Sequence, residues 1–133
     1  MAKIQVYLGF TDNCREAMTF YQRCLGGTLD VQTVGESPVA GDLPQEARER
    51  VLHSALTLGD LMLMGSDQGP DVRGGGAVSL MLECGSQEEV ERYFGALSEG
   101  GTVTHPLSPS FWGSTFGHLT DRYGFQWMLN HTP

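Results

Sequence analysis

Basic residues are scarce in this sequence. Lys and Arg number eight against sixteen Asp and Glu, Lys3 is the only lysine, and the formal net charge is −8. A chain this acidic repels nucleic-acid phosphates and anionic lipid, so we expect neither nucleic acid nor a membrane surface as a partner. Long apolar runs are also missing, and the N-terminus enters strand-like sequence without the apolar segment of a signal peptide. These absences predict a cytoplasmic protein.

Cysteine is rare as well. Cys14, Cys24 and Cys84 are odd in number and have no metal-type spacing, so we expect free thiols in a reducing compartment. Cys14 stands at the start of a predicted helix, where a thiol can have a lowered pKa. We nevertheless expect Cys14 to be a buried and unreactive thiol, with an activated thiol as the alternative.

The length and composition of the chain predict one folded domain. The chain has 133 residues, 40% of them apolar, and its 18 glycines divide it into short segments. Residues 3–10 alternate as a strand, with Ile4 and Leu8 on the core side. Asp12 or Asn13 is expected to cap the helix that follows.

The predicted pattern β-α-β-β-β occurs twice. One constant shift superposes Leu8 on Leu82, Phe20 on Phe94, and Gly26-Gly27-Thr28 on Gly100-Gly101-Thr102. Ser86 and Glu89 have the spacing of a capping box at the second helix. We therefore predict an α+β fold: a single domain, 1–133, with repeats at about 1–66 and 77–133 and a Gly-rich linker, 67–76. The two units are expected to pair into a curved mixed sheet, with helices outside and an open cup inside.

Strand alternation predicts which side chains line this cup. They are Gln5, Tyr7, Met62, Met64, Ser79, Met81, Gln126 and Met128. A floor rich in methionine, with a few amides and hydroxyls, suits a small organic ligand. The alternative is that these methionines fill a core or a dimer seam.

Aromatic residues in the second repeat add to this expectation. Phe111 and Trp112 lie in a long predicted loop and could form a lid or wall of the cup, or simply pack on the sheet. Exposed apolar loop residues on a small chain also favour a homodimer that buries them.

The polar residues do not assemble into a known catalytic constellation. The four histidines are scattered. His53 falls on the cup-facing register, so it is the best candidate acid, base or ligand; a histidine satisfied by backbone at a strand end is the alternative. Asp121 is expected to cap the last turn. The catalytic residues therefore stay unassigned.

The sequence resembles the PhnB-like branch of the vicinal oxygen chelate superfamily, which includes glyoxalase I, bleomycin-resistance proteins and extradiol dioxygenases. The resemblance spans Val6 to Asn130. It rests on Tyr7-Leu8-Gly9-Phe10, Asn13-Cys14-Arg15-Glu16-Ala17, Phe20-Tyr21, Leu25-Gly26-Gly27, His53-Ser54-Ala55-Leu56, Leu63-Met64-Gly65-Ser66-Asp67, Gly100-Gly101, Pro106-Leu107, Phe111-Trp112-Gly113, Phe116-Gly117, Thr120-Asp121-Arg122-Tyr123-Gly124 and Trp127-Met128-Leu129-Asn130. Some relatives are called methyltransferases, but no stretch here resembles a glycine-rich nucleotide-binding loop.

Enzymes of that superfamily hold a divalent ion with ligands from the first and last strand of each unit. The resemblance places those positions near Gln5, Met64, Ser79 and Met128, of which only Gln5 is a suitable donor. Serine and thioether are poor ligands for the divalent ions concerned. We therefore expect no conventional metal site and no cofactor, unless an unconventional site binds a divalent metal.

Two functions follow from these expectations. The first is binding of a small organic molecule in an apolar cup without conventional metal chemistry. The alternative is a metal-dependent lyase or dioxygenase-type enzyme with an unconventional site that uses Gln5 or His53. Neither the ligand nor a reaction follows from the sequence.

Overall fold

The architecture comes from a computed structural model that describes residues 2–38, 41, 43–69, 77–111 and 113–133. The chain divides into two compact units, Met1–Arg73 (unit 1) and Gly74–Pro133 (unit 2). The predicted linker, 67–76, begins at the last residue of a strand, and its residues 70–76 lie outside the described part. The single-domain arrangement of the two repeats and the cup between them stay predictions.

Unit 1 contains four strands, two helices and one 3-10 turn in its described residues. In chain order they are β1 (Val6–Phe10), α1 (Cys14–Leu25), β2 (Thr28–Thr33), the 3-10 turn (Val34–Glu36), α2 (Gln45–Arg48), β3 (Val51–Leu58) and β4 (Leu61–Asp67). The sheet order is β1-β4-β3-β2, in which β1 pairs parallel with β4 and the other pairs are antiparallel.

Unit 2 repeats this plan without the short insertion. Its elements are β5 (Ser79–Glu83), α3 (Gln87–Ser98), β6 (Thr102–Pro109), β7 (Thr115–Thr120) and β8 (Gln126–His131). The order β5-β8-β7-β6 matches that of unit 1, again with the first and last strands parallel. The predicted α+β class with two β-α-β-β-β units is confirmed.

Each unit buries the helix-facing side of its sheet. In unit 1 the apolar stripe of α1, including Ala17, Phe20 and Tyr21, is buried together with Leu56 and Leu63 of the sheet. In unit 2 the corresponding buried set is Val90, Phe94, Leu97, Leu119, Trp127 and Leu129. Helical spacing on one element and strict alternation on the other produce these faces, which is why they were visible in the sequence.

The first strand is shorter than predicted. β1 begins at Val6, and Ile4 is 97% exposed, so its expected place on the core side was wrong. The pairing of β1 with β4 starts at Val6 and Leu63. Ile4 lies before this ladder and gains no burial from it, although the sequence alternation of apolar residues extends back to Ile4.

The helix starts also differ in detail. Asn13 is the N-cap residue of α1, but its side chain makes no capping bond; the backbone N–H of Cys14 donates to Asp67 Oδ1 at 3.0 Å instead. At α3 the predicted Ser86 cap is present, since Ser86 Oγ accepts from Glu89 N at 3.1 Å. The Glu89 carboxylate accepts from Gly85 N rather than closing the box on Ser86.

Two carboxylates fix the ends of the sheets. Asp67 accepts from Cys14 through one oxygen and from the Val51 N–H through the other, at 2.8 Å, so it ties α1 to the start of β3. Asp121 caps the β7–β8 turn as expected, accepting from Tyr123 N and Phe125 N, and it also accepts from the Trp127 indole.

Candidate functional site

Each unit leaves one sheet face uncovered by its helix. In unit 1 an added Cβ at Gly65 would lie 2.9 Å from Phe10 and 3.5 Å from Met18 of α1, so Gly65 faces the helix. Its neighbour Met64 therefore faces away, and the strand register assigns further residues to that side. We call this surface the open face of unit 1; it includes Tyr7, Thr28, Asp30, Gln32, His53, Ala55, Thr57, Met62 and Met64.

A tyrosine–histidine pair is the main polar feature of this face. The Tyr7 hydroxyl is 3.2 Å from Nδ1 of His53, and the two ring centroids are 5.7 Å apart. Tyr7 is on β1 and His53 is on β3, so the tyrosine side chain reaches across β4 to form this bond. The partner of His53 is thus a side chain, not the backbone of a strand end.

The other predicted residues of unit 1 lie at different distances along the strands from the Tyr7–His53 pair. Met64 is directly opposite Tyr7 in the β1–β4 ladder, and Met62 is opposite Thr57. Tyr7 and Met62 are 45% and 38% exposed. Gln5 is exposed and precedes the first residue of β1. The structure therefore brings Tyr7, His53 and Met64 together and leaves Gln5 at the strand end.

The open face of unit 2 is defined in the same way. A Cβ at Gly117 would overlap Phe94 of α3, so Gly117 faces the helix and its neighbours Phe116 and His118 face away. The open face of unit 2 comprises Ser79, Met81, Glu83, His105, Phe116, His118, Thr120, Gln126, Met128 and Asn130. Four of these were predicted: Ser79, Met81, Gln126 and Met128.

The four predicted residues form two cross-strand pairs. Ser79 is opposite Gln126, and its hydroxyl donates to the amide oxygen at 3.1 Å. Met81 is opposite Met128 in the same ladder, and Met81 is 54% exposed. One residue pair further along, Asn130 donates its amide N–H to both oxygens of Glu83 at 3.1 and 2.8 Å. The face therefore has an apolar pair between two polar pairs.

Two histidines extend this surface beyond the prediction. His105 is opposite His118 in the β6–β7 ladder, and His118 is opposite Met128 in the β7–β8 ladder. Nε2 of His118 is buried and has no hydrogen-bond partner among the described residues. The sequence could not place His118 beside His105, because bulges in β6 interrupt the register on either side of His105.

The loop after β6 forms a small depression in unit 2. A cavity of about 350 Å³ is lined by His105, Ser108, Pro109, Ser110, Phe111 and Phe116. Phe111 is 97% exposed at its edge. Trp112, expected to act with Phe111, lies outside the described residues.

Unit 1 also has a polar cavity that sequence reasoning missed. Its volume is about 620 Å³, and its lining includes Arg15, Arg48, Asp12 and Glu49. Arg48 donates to the Gly41 carbonyl, and Arg50 pairs with Asp12 at 3.0 Å. Residues from α1, α2 and β4 meet here, and no short motif signals that convergence.

Two buried thiols are poor nucleophiles. Burial raises the pKa of Cys14 to about 11, even though its Sγ is 3.5 Å from Ser54 Oγ and that bond acts in the opposite direction. Burial likewise raises the pKa of Cys84 to about 11, with Glu89 and Glu83 adding to the effect. Cys14 is the buried and unreactive thiol expected from the sequence, because desolvation outweighs its position at a helix start.

The donor set does not fit the divalent metal that the resemblance implies. Among the described residues, no three His, Cys, Asp or Glu side chains are grouped so that they could hold a metal ion. The positions implied for the ligands carry Gln5, Met64, Ser79 and Met128, and the Ser79 hydroxyl donates to the Gln126 amide oxygen. Thioether and hydroxyl donors do not suit zinc, nickel or magnesium.

Two mixed sheets of identical order, each backed by a helix, are the glyoxalase/bleomycin resistance fold. A glyoxalase/bleomycin resistance protein from Albidiferax ferrireducens T118 shares it at 19% identity over 97% of both chains, with a TM-score of 0.66. Protein PA1353 from Pseudomonas aeruginosa is 41% identical, with a TM-score of 0.85 over 99% of this chain and 98% of that one.

Sequence comparison gives the family. Residues 2–130 match the family model described as 3-demethylubiquinone-9 3-methyltransferase, and the chain belongs to that family. A putative 3-demethylubiquinone-9 3-methyltransferase, PhnB protein, from Bacillus cereus is 26% identical over 98% of this chain and 100% of that one, with a TM-score of 0.77. Protein YjdN of Escherichia coli (strain K12) is 29% identical over 93% of this chain and 91% of YjdN. The PhnB-like resemblance seen in the sequence is confirmed.

Among the described residues, no helix is long and apolar enough to cross a membrane.

Proposed function

We propose that this protein binds a small organic molecule on the open faces of its sheets, without a conventional divalent metal. The observation that carries the proposal is the exposure of Tyr7, Met62 and Met81 on faces that their own helices do not cover. Large apolar side chains left exposed on a sheet face are typical of binding surfaces. Methionine is flexible and polarisable, so it adapts to ligands of varied shape.

Polar groups on the same faces would orient the ligand. The Tyr7–His53 pair offers a hydroxyl and an imidazole beside Met64, and the Ser79–Gln126 pair offers a hydroxyl and an amide beside Met81 and Met128. Few polar groups in apolar surroundings fix the orientation of a ligand whose affinity comes from apolar contact. His53 is the residue best placed to exchange a proton with such a ligand.

The family's description names a methyltransferase, and the fold also occurs in proteins named after glyoxalase. Neither activity is part of our proposal, because no stretch resembles a glycine-rich nucleotide-binding loop and the donors at the implied metal positions do not suit divalent ions. A lyase or dioxygenase-type reaction at an unconventional site is the alternative, with Gln5 or His53 as the donor.

Ligand binding can be tested by thermal shift with the untagged protein. We expect stabilisation by members of a panel of small aromatic and aliphatic compounds, and loss of that stabilisation in the variants Met64→Glu and Met128→Glu, which place a charge on either open face. Tyr7→Phe should weaken ligands that carry a polar group by about tenfold, the usual effect of one hydrogen bond.

A matched control is Thr19→Glu, which adds the same charge on an exposed position of α1 and should keep every shift. Separate samples with S-adenosylmethionine, Zn²⁺, Ni²⁺ and Mn²⁺ examine the alternatives. Stabilisation by one of these, together with no response to the organic panel, would contradict the proposal.

We also propose that two copies of the chain form a homodimer through unit 2. Phe111 and Val78 are exposed there, and a dimer would remove their apolar surface from water. Light scattering should give twice the 14.5 kDa chain mass, and Phe111→Asp should reduce it to one chain. A wild-type mass of one chain across micromolar concentrations would contradict this.

A further inference from the structure

The open face of unit 2 contains a row of four soft donor side chains. His105 on β6 is opposite His118 on β7, His118 is opposite Met128 on β8, and Met128 is opposite Met81 on β5. Directly opposite residues share a face and have Cβ atoms about 4.5–5.5 Å apart. Imidazole, imidazole, thioether and thioether therefore follow one another across the sheet.

A hydrogen bond of His105 fixes which of its ring nitrogens faces the backbone. Nδ1 of His105 is 2.9 Å from the Pro106 carbonyl oxygen. Because a carbonyl oxygen only accepts, Nδ1 is the donor of this bond, and in a neutral imidazole Nε2 is then the nitrogen with a lone pair. Fixing the tautomer by such a bond is how proteins prepare a histidine to bind a metal.

The second imidazole of the row, that of His118, has an unusual buried nitrogen. Nε2 of His118 is buried and meets no hydrogen-bond partner among the described residues. A buried polar atom without a partner is destabilising, so native proteins use such atoms or satisfy them. The neighbours of His118 across the ladders are His105 and Met128, which are both electron-pair donors.

The chemistry of the row selects the occupant. Thioethers bind soft ions and are poor ligands for hard divalent ions, whereas imidazole binds soft and borderline ions alike. Cu(I) combines both preferences and is stable with few ligands. The net charge of −8 also favours cations over anions near the surface.

We propose that His118 and Met128, with His105 or Met81 as a further donor, bind a single Cu(I) ion on the open face of unit 2. This site uses residues that the implied divalent site does not, apart from Met128. It does not depend on the organic ligand proposed above, since the ion needs only the side chains of the row.

The test is a competition titration of untagged protein with Cu(I), under anaerobic conditions and with bicinchoninate as the competing chelator. We expect one ion per chain, and a loss of affinity of at least about tenfold in His118→Gln and in Met128→Leu. Matched controls are His131→Gln and Met62→Leu, which should keep the wild-type affinity. His131 bonds the Cys84 carbonyl, and Met62 belongs to the other sheet.

Methionine methyl NMR distinguishes this site from the buried thiols, which also attract Cu(I). Cu(I) or Ag⁺ should shift the methyl signals of Met128 and leave that of Met62 in place, and circular dichroism should show that both row variants fold. Equal affinity in wild type and row variants would overturn the proposal, as would binding that leaves the Met128 signal unchanged. Zn²⁺ binding as tight as that of Cu(I), and indifferent to Met128→Leu, would also overturn it.

Discussion

Replacing Asp121 with alanine should lower the free energy of unfolding by about 4 kcal/mol. Asp121 is 3% exposed and accepts hydrogen bonds from Tyr123 N at 2.8 Å, from Phe125 N at 3.1 Å and from Trp127 Nε1 at 2.8 Å. Without the carboxylate, the turn loses its cap and the buried Trp127 indole loses its bond to Asp121. Urea denaturation followed by tryptophan fluorescence measures the change.

Asp121→Asn is the control, because it removes the charge of the side chain and keeps its shape. The amide oxygen can replace one acceptor but not both, so we expect a loss of about half that in the alanine variant. A loss below about 1 kcal/mol for Asp121→Ala would contradict the assigned role, because surface substitutions reach only about half that value.

Gly27→Ala should be the second severe change, at about 3 kcal/mol or more. Gly27 follows α1 with φ of +94°, and a Cβ there would overlap the Thr57 carbonyl oxygen of β3. The variant must therefore distort either the helix–strand connection or the sheet. Thermal unfolding by circular dichroism gives the comparison with wild type.

Gly26→Ala separates the two causes of this loss. Gly26 also has a positive φ, +85°, but no atom lies within 4 Å of its added Cβ. It should lose less than Gly27→Ala, about 1–3 kcal/mol from backbone strain, because φ of +85° with ψ of −166° is a conformation nearly restricted to glycine. Equal losses in the two variants would show that the close approach to Thr57 contributes nothing.

Alternation and helical spacing predicted most of the fold because they are local properties. In β4 the sequence Leu61-Met62-Leu63-Met64 assigns leucine to the core and methionine to the open face, and the structure agrees. Ile4 shows the limit of the method. Its pattern is that of a strand, but strand formation needs a partner, and the β1–β4 ladder begins at Val6.

The candidate surfaces were only partly predictable for a related reason. The alternation within one strand predicts which side chains share a face. Which of them are neighbours on adjacent strands depends on the strand order and register. His53 and Tyr7 were assigned to one side, yet their hydrogen bond follows from the order β1-β4-β3. Asp67 bonds Cys14, a residue far away in sequence, so its role as an anchor left no local signal.

The parallel pairing of β1 with β4, and of β5 with β8, has a consequence for how the chain folds. In each unit the first strand to be synthesised cannot form its parallel ladder until the last strand of the unit has been made. The hairpins β3–β4 and β7–β8 can form early from local contacts. Forming the parallel pair costs more conformational entropy, because it closes a loop that is nearly as long as the unit. Nascent chains that stop before β4 therefore present β1 as an unpaired edge, the segment most exposed to misassociation during synthesis.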